Sequence, residues 1–326
     1  MKTVACPRYG GPEVLELRDV PVPVPTDDEI LVRVRAAGLN ALDWHLMRAD
    51  PWVVRLGQGM RRPKFASLGA DMAGTVEAAG KDVEGFAPGD EVLGEVSAGG
   101  FGAFAEYVCV PERFVAHKPS NVTFAEAATL PVSGVTALQA LRDQARVRPG
   151  ETVLVHGASG GVGRYAVQIA LDMGADVTAV CSTLNVESIR DLGVSDVVDY
   201  RTHDVFADGR QWDVILGVNG FQRLSRYKAA LAPGGRYLMI GGTGKQLFQG
   251  VAFGRLRSGG GRKLAAVIAK PTAEKLATVA QMAADGKLKP VIDRTYPLED
   301  VVDAMNYLEE GHSRGKTVLA IAGGES

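Results

Sequence analysis

The residues best equipped for chemistry lie in one run from Thr152 to Arg164, TVLVHGASGGVGR, where glycines stand at 157, 160, 161 and 163. Backbone without Cβ atoms can come close to a phosphate, and the first turn of a helix offers N–H groups that have no partner inside the helix. The chemistry this suits is the holding of a dinucleotide pyrophosphate, with Ala158, Ser159, Gly160, Gly161, Val162 and Gly163 as candidate contacts. The spacing is G-x-x-G-G-x-G rather than G-x-G-x-x-G, and an ordinary strand-to-helix turn in a chain with 40 glycines could carry the same letters. A second group of polar residues follows at Ser182, Thr183 and Asn185, where the next expected strand ends. Units that bind NAD usually close this strand with Asp or Glu, which accepts hydrogen bonds from the ribose hydroxyls. Here hydroxyls and an amide take that place, which suits a 2′-phosphate and so NADPH.

The elements that position these groups can be drawn from periodicity. Thr152 to Val155 is an apolar β-branched run, fit for a buried parallel strand. Val162, Ala166, Ile169 and Ala170 then recur at helical spacing up to Gly174, a suitable helix stop. Six strands are expected at 152–156, 177–182, 196–199, 213–218, 235–240 and 263–269, with helices between them, as in a doubly wound dinucleotide fold. Before Thr123 the character differs. Residues 30–37 alternate apolar and basic, 74–80 and 91–94 read as short strands, and 103–110 alternate again, which suggests a small barrel-like β domain. Helices are expected at 124–130 and 135–145, on either side of Pro131-Val-Ser-Gly134. The tail resumes with a helix from Thr272 to Gly286, a strand near Val291, a helix over 298–310 and a strand over 316–321.

Composition narrows the class. The 326 residues are 46% hydrophobic and 23% charged, ordinary for a soluble globular protein. A net charge of −2 gives no reason to expect nucleic acid or a membrane as the main partner. Cys6, Cys109 and Cys181 are far apart and lack C-x-x-C spacing, so neither a disulfide framework nor a cysteine-rich zinc lobe is expected. Met1 to Cys6 reads as a strand rather than a signal segment, and the expected location is cytoplasmic.

Blocks along nearly the whole chain carry a resemblance: Gly38 to Asp43 (GLNALD), Gly69 to Val76 (GADMAGTV), Pro88 to Val92 (PGDEV), Gly102 to Val108 (GAFAEYV), Gly134 to Ala140 (GVTALQA), His156 to Gly163, and Pro233 to Tyr237 (PGGRY). In this order they resemble the medium-chain dehydrogenase/reductases, in particular the zinc-free quinone oxidoreductase branch. Cys181 to Val186, Val218 to Gly220 and His312 to Lys316 are similar to bacterial NADP-dependent alcohol-dehydrogenase-like proteins and mitochondrial reticulon-interacting reductases. The resemblance implies an α/β fold: a doubly wound Rossmann domain over 120–269, inserted into a GroES-like β-rich domain of 1–119 and 270–326. It implies catalytic roles for Asn40 and for His45, which stands where relatives often carry Tyr. It also implies cofactor contacts at Val132, Thr136, Asn219 and Gly241, and closure of Tyr200, His312 and Arg314 around the 2′-phosphate. A homodimer is expected through the final strand, Lys263 to Ala269.

The zinc-binding members place Cys and His where this chain has Asn40 to Asp43 and Gly69-Ala-Asp71, and no Cys stands near 131–136. Zinc favours thiolate and imidazole, so no metal is expected. Without a Lewis acid, reduction is easiest where the substrate delocalises the incoming charge, as quinones and enones do. The expected activity is NADPH-dependent reduction of such a small molecule. The alternatives are a non-catalytic NADPH-binding protein and a zinc-independent alcohol or aldehyde oxidoreductase. Residues 51–64, apolar and basic, read either as a lid suited to an anionic headgroup or acidic substrate, or as a solvated helix and loop.

Overall fold

A computed structural model describes residues 1–219, 222–241, 261–311 and 313–321. His312 and Gly220 lie outside the described residues. Seven strands come first: β1 (Lys2–Ala5), β2 (Glu16–Asp19), β3 (Glu29–Gly38), β4 (Asp71–Ala79), β5 (Glu91–Glu95), β6 (Tyr107–Pro111) and β7 (Val115–His117). Six more alternate with helices: β8 (Thr152–His156), β9 (Asp176–Cys181), β10 (Asp196–Asp199), β11 (Trp212–Val218), β12 (Leu231–Ile240) and β13 (Lys263–Ala266). Two close the chain, β14 (Ile292–Pro297) and β15 (Lys316–Ala320).

The chain divides into two compact units, Met1–Val135 with Pro271–Ser326, and Thr136–Lys270. In the first, β3 is the organising strand. Its ten residues pair antiparallel with β4 on one side, and with β6 and then β15 on the other. Register shifts at Leu31/Val32 and Val34/Ala36 mark irregularities in the β3–β4 ladder, the kind of bulge that bends a sheet. Val32, Val34, Met72, Val92, Phe104 and Leu319 bury their side chains in one apolar core. Residues 120–135 pack with this unit instead of the inserted one. The reason lies in polar contacts: the Val132 N–H donates to Asp71 at 2.7 Å, and Gly38 backs directly onto the Ala128 carbonyl.

The second unit is a six-stranded parallel sheet in the order β10-β9-β8-β11-β12-β13. This is the doubly wound order, whose direction reverses between β8 and β11. Its core gathers Leu154, Val180, Ile215, Tyr227, Tyr237 and Leu264. Two expected elements differ. Pro131 opens a helix, Pro131–Leu138, instead of separating two, because proline's fixed φ and missing N–H suit the first helical turn. That helix runs on into a π-helical stretch, Gln139–Ala145. The last strand stops at Ala266 because the Ile268 carbonyl is taken by the Gln139 side chain at 2.7 Å.

Candidate functional site

In the second unit, the residues expected to hold a cofactor gather at the carboxyl ends of the parallel strands, where ligands of such sheets bind. The turn after β8 leads into the helix Gly161–Asp172, capped by Gly160. The N–H groups of Gly157 and Ala158 both bond to the Val180 carbonyl of β9, at 3.1 and 2.9 Å. They pin the turn to the sheet and are not available to a ligand, so the buried Ala158 supports the turn. The first helical N–H groups, those of Gly161, Val162 and Gly163, have no acceptor within the helix and face forward with the positive end of its dipole. Gly157, at φ +96°, and Gly163 are required as glycines: a Cβ on the first would strike the Val218 carbonyl, and on the second the Gly157 carbonyl. Nothing obstructs a Cβ at Gly160. The cradle has the open backbone that a pyrophosphate needs. Arg164, buried under it, donates to the Ser159 carbonyl at 3.1 Å and to Ser188 Oγ at 2.9 Å, joining the turn to the next loop.

That next loop divides its polar groups in a way periodicity could not show. Asn185, expected to meet a ligand, is buried and donates its Nδ2 to Ser182 Oγ at 3.0 Å. Ser182 thereby accepts from Asn185 and keeps its own proton to give. Thr183 spends its proton on Asp199 Oδ2, at 2.6 Å. The expectation that this strand end lacks a carboxylate therefore needs correction: Asp199 reaches it from the end of β10. The Thr183 hydrogen bond, with the Arg201 N–H, holds the Asp199 carboxyl below its ordinary pKa. Tyr200, next in sequence, is 56% exposed. At the ends of β11 and β12, Asn219 takes a left-handed φ of +50°, and a Cβ on Gly241 would strike its side chain. These two expected contacts are therefore neighbours.

The first unit holds a buried polar cluster. Asn40 precedes the helix Ala41–Arg48, and its amide is saturated as a donor, giving to the Gly38 carbonyl at 3.2 Å and to Asp71 Oδ2 at 2.9 Å. Its Oδ1 accepts from Lys316 Nζ at 2.6 Å. The ammonium also lies 3.3 Å from Asp71 Oδ2 and 3.4 Å from Ser133 Oγ. Asp43 turns both carboxylate oxygens to backbone, the N–H groups of Asn40 at 2.8 Å and Gly69 at 3.2 Å. Burial pushes the Asp43 carboxyl up to about 7 against the pull of those two donors. Glu95, at the end of β5, is also pushed up to about 7 by burial.

His45 stacks on Trp44 with ring centroids 3.8 Å apart, and its Nδ1 meets the Asp50 carbonyl at 2.5 Å. A carbonyl only accepts, so Nδ1 carries the proton and Nε2 is left as an acceptor. Thr136 is buried, and Val132 contributes its N–H to Asp71. Arg314 is exposed, with its backbone N–H fixed on Asp293 at 2.8 Å. Sequence reasoning missed Lys316, Ser133 and Glu95. A lysine in a final apolar strand was the only available signal.

Two family models match the chain: the alcohol dehydrogenase GroES-like domain over residues 26–120, and the zinc-binding dehydrogenase over 192–319. The residues present do not fit zinc. Asp71, in the segment where metal-binding members carry a ligand, is held by a lysine ammonium and an amide, and among the described residues no thiolate or imidazole bonds to the cluster. The chain is 34% identical to a chloroplast envelope quinone oxidoreductase homolog of Arabidopsis thaliana, over 95% of each. It is 32% identical to the human protein named NAD(P)H oxidoreductase RTN4IP1, mitochondrial, over 96% of this chain and 87% of that one. Among solved structures, the quinone oxidoreductase from Coxiella burnetii superposes with a TM-score of 0.87 at 30% identity, covering 98% of this chain and 99% of the other. With these matches over nearly its whole length, the chain belongs to the medium-chain dehydrogenase/reductase superfamily, among its quinone oxidoreductases, and is an oxidoreductase of the nicotinamide-cofactor type.

Proposed function

We propose that the protein is an NADPH-dependent reductase that delivers hydride to a quinone or an α,β-unsaturated carbonyl without a metal. The observation that carries this reading is Lys316: its buried ammonium neutralises Asp71 in the segment where metal-binding relatives place a ligand. Quinones and enones suit such a centre, because the electron pair arriving at carbon is delocalised onto the substrate's own oxygen and needs no Lewis acid.

NADPH, when bound, supplies the hydride. The chain's part is to hold and orient. Gly161, Val162 and Gly163 offer N–H groups to the pyrophosphate, and Ser159 and Gly160 let it approach. Ser182 donates to the 2′-phosphate, with Asn185 positioning the hydroxyl. Tyr200, His312 and Arg314 complete that contact, and Arg314 brings the positive charge. Thr136, Val132, Asn219 and Gly241 line the remainder. Asn40, with its amide hydrogens committed, can meet the nicotinamide ribose only through Oδ1, which already accepts from Lys316. His45, once protonated at Nε2, can donate to the oxygen that gains charge. We place the protein in the cytoplasm as a homodimer paired along β13.

Asp199 favours a second reading of the cofactor, since its carboxylate beside Thr183 could accept from ribose hydroxyls as in NAD-binding units. The cofactor test separates the two. Losing a charge-assisted hydrogen bond costs about 1.5–3 kcal/mol, so Arg314→Ala should weaken NADPH roughly ten- to a hundredfold and leave NADH nearly unchanged. Ser182→Asp should reverse the preference by setting a carboxylate against the phosphate. The readout is kcat/KM for both cofactors. Equal use of NADH and NADPH by the wild type would overturn the assignment.

A further inference from the structure

Residues 51–64 carry a surface that the reductase reading does not use. Trp52, Val53, Leu56 and Met60 are 60%, 54%, 65% and 53% exposed, four of the ten large apolar side chains that face water among the described residues. Such clustering within nine positions is unlike scattered surface apolar residues, which need no explanation. The segment is also built to present them. Val54 packs down on the core of its unit, and the Tyr9 hydroxyl meets the carbonyls of Gln58 at 3.1 Å and Gly59 at 2.7 Å. Arg55 stacks over the Tyr9 ring at 4.8 Å. The backbone is thus tied beneath while the apolar side chains stand outward.

The charge of the segment selects the partner. No Asp or Glu occurs from Pro51 to Ala70, whereas Arg55, Arg61, Arg62 and Lys64 all do. Arg61, Arg62 and Lys64 are exposed, and none of the three makes an ion pair among the described residues. A two-fold contact between copies would set these cations against themselves. Apolar side chains that include a Trp, ringed by exposed cations, match an anionic lipid surface: the apolar groups enter the interface and the cations meet phosphate headgroups. The net charge of −2 conceals this, because a single segment departs from the average.

We propose that residues 51–64 dock the protein peripherally on an anionic bilayer, with Trp52, Val53, Leu56 and Met60 at the depth of the headgroups. The inference stands apart from the reductase reading, and its test reads no turnover. The full chain is co-sedimented with vesicles of phosphatidylglycerol and phosphatidylcholine in equal parts, and with phosphatidylcholine alone. Binding is expected only to the anionic vesicles, falling as salt rises, with Trp52 emission moving to shorter wavelength relative to Trp52→Phe. Trp52→Ser with Leu56→Ser should weaken binding about tenfold or more, and Arg61→Glu with Arg62→Glu should abolish it. These side chains face water in the free protein, and thermal melting checks that the variants remain folded. Absence of binding to anionic vesicles, or equal binding by the apolar double variant, would overturn the proposal. So would light scattering that shows the Trp52→Ser/Leu56→Ser variant to be a smaller species than the wild type, since a second copy would then cover the patch.

Discussion

Lys316 and Asp71 are both buried, and a buried ion pair holds only where further hydrogen bonds satisfy it. Asn40, Ser133 and the Val132 N–H supply those bonds. The price of this centre falls on the acids around it. Glu95 is 3% exposed, and burial first, with the Asp71 charge adding to it, pushes its carboxyl from 4.5 up to about 7. The folded chain thus holds this proton more tightly than the unfolded one. Its contribution is complete below about pH 4.5 and is lost as pH rises through about 7, on the order of 1–3 kcal/mol in total. Glu95→Gln keeps an acceptor for the Ser97 N–H and removes the titration. Urea unfolding at about pH 5 and about pH 8 should show wild-type stability falling between the two from this group, and the variant losing less. Parallel profiles would show that Glu95 is ionised throughout.

At the scale of elements, what could be read from the chain depended on whether the signal was local. The β8 run Thr152–His156 and the helix Gly161–Asp172 were legible because β-branched apolar residues and a 3.6-residue period need no distant partner to be recognised. Pro131 misled because proline at a first helical turn and proline at a break look alike until Asp71 is seen to bond the next N–H. β13 was expected to run to residue 269 and ends at Ala266, since the Gln139 side chain, 129 positions away, takes the Ile268 carbonyl. β13 remains the last strand of its sheet among the described residues, with β12 as its one neighbour. Edges of this kind invite another strand. Light scattering at micromolar concentration should return a dimer, and Ala266→Pro, which removes an N–H on the side of β13 away from β12, should shift it towards monomer. A monodisperse wild-type monomer would contradict the pairing.

At the scale of the molecule, the insertion of one unit within the other was visible as β-rich character that stops and resumes, and the strand order of the inserted sheet agrees with it. The polar cluster was not visible. Lys316 reaches Asn40 across 276 positions and Asp71 across 245, and no spacing rule connects residues so far apart. The loop after β9 failed in the same way, as Asp199 meets Thr183 only because β10 lies beside β9. The residues that could be listed from sequence are those at the strand ends. Their division into groups that keep a proton to give, such as Ser182, and groups that hold them, such as Asn185, required coordinates. We propose metal-independent reduction of a charge-delocalising acceptor by NADPH. Its most direct test is NADPH oxidation with a quinone, an enone and a simple aldehyde as acceptors, after exhaustive dialysis against a strong chelator and metal analysis. Turnover of the quinone or the enone is expected, undiminished by chelation, with little on the aldehyde. Turnover confined to the aldehyde, or activity lost on chelation and restored by zinc, would contradict it.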